Sequence, residues 1–127
     1  MTAVEDPGPS DIAAAQELIE AELVIQGSEL ALSPVGGGDR FLLDGFELSD
    51  ATIDEWTAAG LNAVGVPVFC IGPDAHAGAV EHLARWNSAL LDHSDRLVRI
   101  GKAADIERAR AEGRIGVLLC MHFGGMF

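Results

Sequence analysis

The stretch DIERARAEGRIGVLLCMHF, running from Asp105 to Phe123, decides the fold. Its first half is polar, with Ile106 and Ala109 facing inward at helical spacing and Asp105 in the first turn, where a carboxylate suits the helix dipole; Gly113 is the stop. Its second half, Ile115 to Phe123, holds five consecutive apolar residues, Val117, Leu118, Leu119, Cys120 and Met121. A strand that met water on one face would alternate, so an unbroken run predicts a strand buried in a helix-covered parallel sheet.

Two further stretches carry the same signature upstream. Asn62 to Ile71 is rich in valine and closed by Gly72-Pro73, and Phe41-Leu42-Leu43 is a short apolar run ending at Asp44-Gly45. Between them Ser49 to Ala59 reads as a helix with Ile53 and Trp56 on one face and Gly60 as its stop. A longer helix follows from about Ala77 to His93, with Val80, Leu83, Trp86 and Leu90 as its stripe; Leu97 to Ile100 is too short to assign. Strands alternating with amphipathic helices give an α/β class, and in such sheets chemistry gathers at the carboxyl ends of the strands. The spacing therefore predicts residues 41–45, 62–70 and 115–122 as neighbouring parallel strands, with helices 50–59 and 77–93 on one side of them.

Upstream of residue 40 the chain is of another kind. Residues 1–10 read as a loose arm, and residues 11–23 as an amphipathic helix built on Ile12, Ala15, Leu18 and Ile19, which Ser10 or Asp11 can cap. Residues 24–35 give no clear pattern, and Gly36-Gly37-Gly38 marks a break. Residues 1–39 are thus expected to be an arm, helix and glycine-rich linker, and residues 40–127 the α/β unit.

The chain has 127 residues, 49% hydrophobic and 22% charged, which fits one globular unit. A complete (β/α)₈ barrel takes about 250, so a barrel reading makes this a partial TIM-barrel-like unit preceded by an N-terminal helix. The net charge of −12, from 20 acidic against 8 basic residues, argues against nucleic acid and against anionic lipid as partners. The first nine residues are acidic and proline-rich with no basic or apolar leader, and no run approaches the length of a membrane span; the expectation is a cytoplasmic protein. Cys70 and Cys120, inside apolar runs, read as small buried hydrophobes.

Taken in order, three stretches resemble the membrane (renal) dipeptidase family of amidohydrolase-like barrels. Phe41-Leu42-Leu43-Asp44-Gly45 resembles its first strand, which ends in Asp-Gly-His-Asn-Asp. Ala59-Gly60-Leu61-Asn62-Ala63-Val64 resembles its glycine-led second strand. Asp105 to Leu119 resembles its Asp-Ile helix, Gly-Lys or Gly-Arg turn and strand into Glu-Gly-Gly-His, and the helix before it carries Arg85-Trp86-Asn87, as in a subgroup of the family. The resemblance covers residues 40 to 127. It implies a dipeptide-hydrolysing barrel with two divalent metals, usually zinc, that activate a water and polarise the scissile carbonyl.

At the metal ligands the sequence departs from that pattern. The family's His and second Asp of the first motif fall on Phe46 and Leu48, which cannot coordinate a metal, and Glu47 would face the other way on a strand. The bridging Glu of the third strand falls on His122, followed by Phe123-Gly124-Gly125. Two candidates remain on the resemblance. His122 is either a surviving metal ligand or a strand-end histidine bonded to backbone, and Asp44 either orients metal ligands or caps the turn that stops its strand. No catalytic residue is assigned. His76, His82 and His93 lack the i, i+4 spacing that brings two imidazoles to one metal and are expected to be solvated, and Gly36-Gly37-Gly38 is no nucleotide loop.

Two functions fit these residues. One is a dipeptidase-like metallohydrolase, present here as a truncated or divergent portion that is inactive alone and takes a dipeptide-like substrate once completed. The other is a metal-free binding or assembly module. Either way, unpaired strand edges predict self-association or pairing with the missing part of the barrel.

Overall fold

The computed structural model describes residues 6–27, 48–68 and 73–121. Eight elements follow in order: α1 (Pro9–Ala21), β1 (Ile25–Gln26), α2 (Asp50–Ala58), β2 (Ala63–Val68), α3 (Ala75–Asp92), β3 (Leu97–Arg99), α4 (Ala103–Ala111) and β4 (Ile115–Met121). All strand pairings are parallel, in the order β1-β2-β4-β3.

The expected pairing of the second and third apolar strands is present: Ala63 to Val68 of β2 lie beside Gly116 to Met121 of β4. Val64, Val66 and Val68 of β2, Val117 and Ile115 of β4 and Leu97 of β3 share one buried cluster with Ile53 and Trp56 of α2 and Trp86 and Leu90 of α3. Helices α2 and α3 therefore contribute to the same core on the same face of the sheet, as the spacing predicts. The expected strand at 41–45 lies outside the described residues, as do the ends of the other two at 69–70 and 122.

Three features differ from the sequence reading. The neighbour of β2 away from β4 is β1, from a stretch with no legible pattern. Its position is set by backbone and one amide: the Asn62 N–H donates to the Val24 carbonyl at 2.8 Å, and the Val24 N–H donates to Asn62 Oδ1 at 2.8 Å. Second, the unassigned segment at Leu97 is a strand, and it lies beyond β4, at the sheet edge. The connection β3–α4–β4 thus runs back across the sheet, and a right-handed crossover then puts α4 on the face opposite α3. Ala109 of α4 and Ile100 are both buried, and neither belongs to the α2–α3 core. On that second face a Cβ at Gly116 would lie 2.5 Å from Ile100 Cδ1, so any larger residue there would make the Ile100 side chain shift.

Third, α1 begins at Pro9, ahead of both expected caps. Gly8 is its N-cap, and Asp11 closes the first turn by accepting from the Gly8 N–H at 3.0 Å. None of its residues is buried. What holds it is its carboxyl end, where Arg110 Nη2 donates to the carbonyls of Glu20 and Ala21 at 2.8 and 3.1 Å and Ile19 sits over Gly60.

Both glycine stops work as the sequence indicates. Gly60 and Gly113 have φ of +71° and +67°. After each, the next N–H reaches back to the last turn, Leu61 to the Trp56 carbonyl and Arg114 to the Ala109 carbonyl, which satisfies carbonyls the helix leaves unpaired. Pro67 stands inside β2 without cost. The Gly116 N–H donates to the Asn62 carbonyl, so alternate β2 residues turn their backbone groups to β4 and Pro67 turns its missing N–H the other way, past the last β1 pair at Val64.

Candidate functional site

The carboxyl ends of β2 and β4 are where a barrel of this kind would hold its chemistry. Asp44 and His122, the two candidate metal residues, lie outside the described residues, as do Phe46, Glu47 and Cys70. The structure therefore brings neither candidate to a described site. Of the positions aligned with metal ligands, Leu48 is described. It is 7% exposed and belongs to the core cluster with Ile53, Trp56 and Trp86, on the helix side of the sheet.

The sequence itself carries the signal for this role. Ser49 is the N-cap of α2, its Oγ accepting from the Thr52 N–H at 3.2 Å, which makes Leu48 the residue before the cap and Ile53 the fourth residue of the helix. An apolar pair at those two positions is the hydrophobic staple that fixes how a chain enters its helix.

Beside Leu48 an open groove of about 470 Å³ runs along α3, lined by Glu81, Arg85, Ser88, Asp92 and His93 among others. Three of these side chains, and Arg96 nearby in sequence, are engaged with one another or with α2. Arg85 pairs with Glu81 at 2.6 Å, His93 Nδ1 lies 3.5 Å from Asp50, and Arg96, just before β3, reaches Asp54 at 2.5 Å and Asp50 at 3.6 Å. His93 is thus half-buried between α3 and α2 rather than solvated; His82 is half-buried too, and His76 is exposed. The groove pairs no nucleophile with a base. Among the described residues no group of three or more His, Cys, Asp and Glu side chains is placed to hold a metal ion. Leu48 offers no donor, so that one position does not fit the zinc site that the resemblance implies.

Cys120 is half-buried and unbridged, its thiol directed to the Leu118 carbonyl at 3.6 Å. No helix among the described residues is long and apolar enough to cross a membrane.

Asp105 is the buried charged side chain among the described residues. Its Oδ2 accepts from the N–H groups of Gly101 and Lys102 at 2.9 and 3.0 Å, and Oδ1 pairs with Arg108 at 3.1 Å. The Gly101 N–H holds the carboxyl below its ordinary range. Burial opposes this, while the Lys102 N–H and the charges of Arg108 and Lys102 add to it. A depressed folded-state pKa stabilises at neutral pH and loses that contribution as pH falls through it. Asp105→Asn, which keeps an acceptor and removes the charge, should lower the melting temperature by a few degrees at pH 7. That gap should close below about pH 4, where the unfolded carboxyl is also protonated; a gap unchanged from pH 7 to pH 3 would remove the charge from the explanation.

No family model matches the sequence, and no curated protein matches it. Among solved structures the chain is similar to an amidohydrolase from Pseudomonas aeruginosa, with 20% identity and a TM-score of 0.56 over 84% of this chain and 28% of that one. At that identity the likeness concerns the fold alone, an α/β unit that spans little more than a quarter of its neighbour's length.

Proposed function

We propose that this chain forms the opening part of a membrane dipeptidase-like barrel, in which hydrolysis of a dipeptide belongs to the completed barrel and this segment alone is inactive. The observation that carries the reading is the parallel pairing of β2 with β4, with α2 and α3 in one core on one face, in the order of the family's motifs. The amidohydrolase neighbour supports it at the level of fold. Zinc, where such a barrel holds it, supplies a Lewis acid and an activated water. This segment's contribution to its binding is confined to Asp44 and His122, since Leu48 is committed to the core.

The second reading, a metal-free binding or assembly module, is favoured by one specific observation. The face of β4 away from α2 and α3 leaves Leu118 45% exposed, and Ile25 on β1 is exposed as well. In either reading the partner is a second copy of this chain or the remaining part of a barrel. Pure protein with added zinc should give no turnover of a panel of dipeptides. Metal-dependent turnover abolished by a chelator would show that the segment carries a working site and would end the first reading as stated.

A further inference from the structure

We infer that residue 48, which the dipeptidase resemblance aligns with a metal-binding aspartate, has been converted into the apolar staple that fastens α2 to α3, so that restoring a carboxylate there cannot restore a metal site. Three observations meet at this residue. Leu48 precedes the Ser49 cap and stands five residues before Ile53, the staple spacing. It is 7% exposed and shares a cluster with Ile53, Trp56, Trp86 and Leu90, the apolar residues by which α2 and α3 meet the sheet. It also lines the groove beside Ala84, Ser88 and Ala89, so α3 borders it on the open side. The ligands of a barrel stand instead at the carboxyl ends of its strands, whereas Leu48 lies at the start of α2, in the cluster it shares with α2 and α3. An aspartate at 48 would set a carboxylate among the apolar side chains of that cluster and give up the volume that Leu48 fills.

Only the alignment of residue 48 rests on the proposed kinship; the staple does not. The test uses the full chain with Leu48→Ala, Leu48→Met, Leu48→Asp and the double variant Phe46→His/Leu48→Asp, read by thermal melting and by zinc uptake against a chromophoric chelator. Leu48→Ala should lower the melting temperature by several degrees, while Leu48→Met should melt close to the parent because it refills the volume. The double variant should take up no more zinc than the parent. If it fails to fold, the Ala and Met pair decides the matter. Leu48→Ala melting with the parent, or a folded double variant gaining one zinc per chain, would overturn the inference. Zinc taken up equally by parent and variants would count against the metal-poor reading of the segment and would support the staple, since uptake would not depend on residue 48.

Discussion

Val117→Asp should abolish folding, while Leu118→Asp, one residue further along the same strand, should leave the fold almost as stable as before. The two side chains point to opposite faces of β4. Val117 is 0% exposed and sits in the cluster formed with α2 and α3, whereas Leu118 is 45% exposed. An uncompensated charge in the first position costs about 3–5 kcal/mol or more, a large share of the about 5–15 kcal/mol that holds a domain together. At the second position water still reaches the carboxylate, and the change should stay within about 0.5 kcal/mol. Urea unfolding followed by tryptophan fluorescence reads both, because Trp56 and Trp86 lie in the core. Equal destabilisation would mean that both faces of β4 are closed.

How far the sequence discloses this fold depends on the length of each element. β4 was readable because five apolar residues in a row have no other economical explanation, and β2 because its valines are closed by Gly72-Pro73. β1 and β3 have two and three residues, too few for any period to show. They are fixed by partners distant in sequence, such as the Asn62 amide on Val24. The α3 stripe expected from the spacing differs from the buried face at its first position. Trp86 and Leu90 are buried, but Ala79 takes the inward position at the start of the helix and Val80 is exposed, because a small residue carries the contact there. The order of β3 and β4 was not legible, since strand order is decided by where crossovers land. At the candidate site the absence of donors at Phe46 and Leu48 was plain from residue type. The use made of Leu48 needed its spacing from Ser49 and Ile53 to be read as a helix start rather than as a strand end.

The face of the sheet that α2 and α3 cover is closed by their core, whereas on the face that α4 shares Leu118 is left exposed. β3 pairs with Ile115, Gly116 and Val117 of β4 and no further, so among the described residues the outer edge of Leu118 to Met121 has no neighbouring strand. Ile25 and Leu118 leave apolar surface beside it, and such surface costs about 25 cal/mol per Å² while wet. The net charge of −12 pushes copies apart, so burial of this surface between chains should strengthen as salt screens that repulsion. Leu118→Asp should weaken it by adding charge at its centre. Sedimentation velocity of the whole chain at micromolar concentration, in low and in moderate salt, is the direct measurement. Species heavier than one chain should appear, growing with salt and shrinking in Leu118→Asp; a compact monomer at every salt concentration, unfolding cooperatively, would show that no such surface is buried between chains.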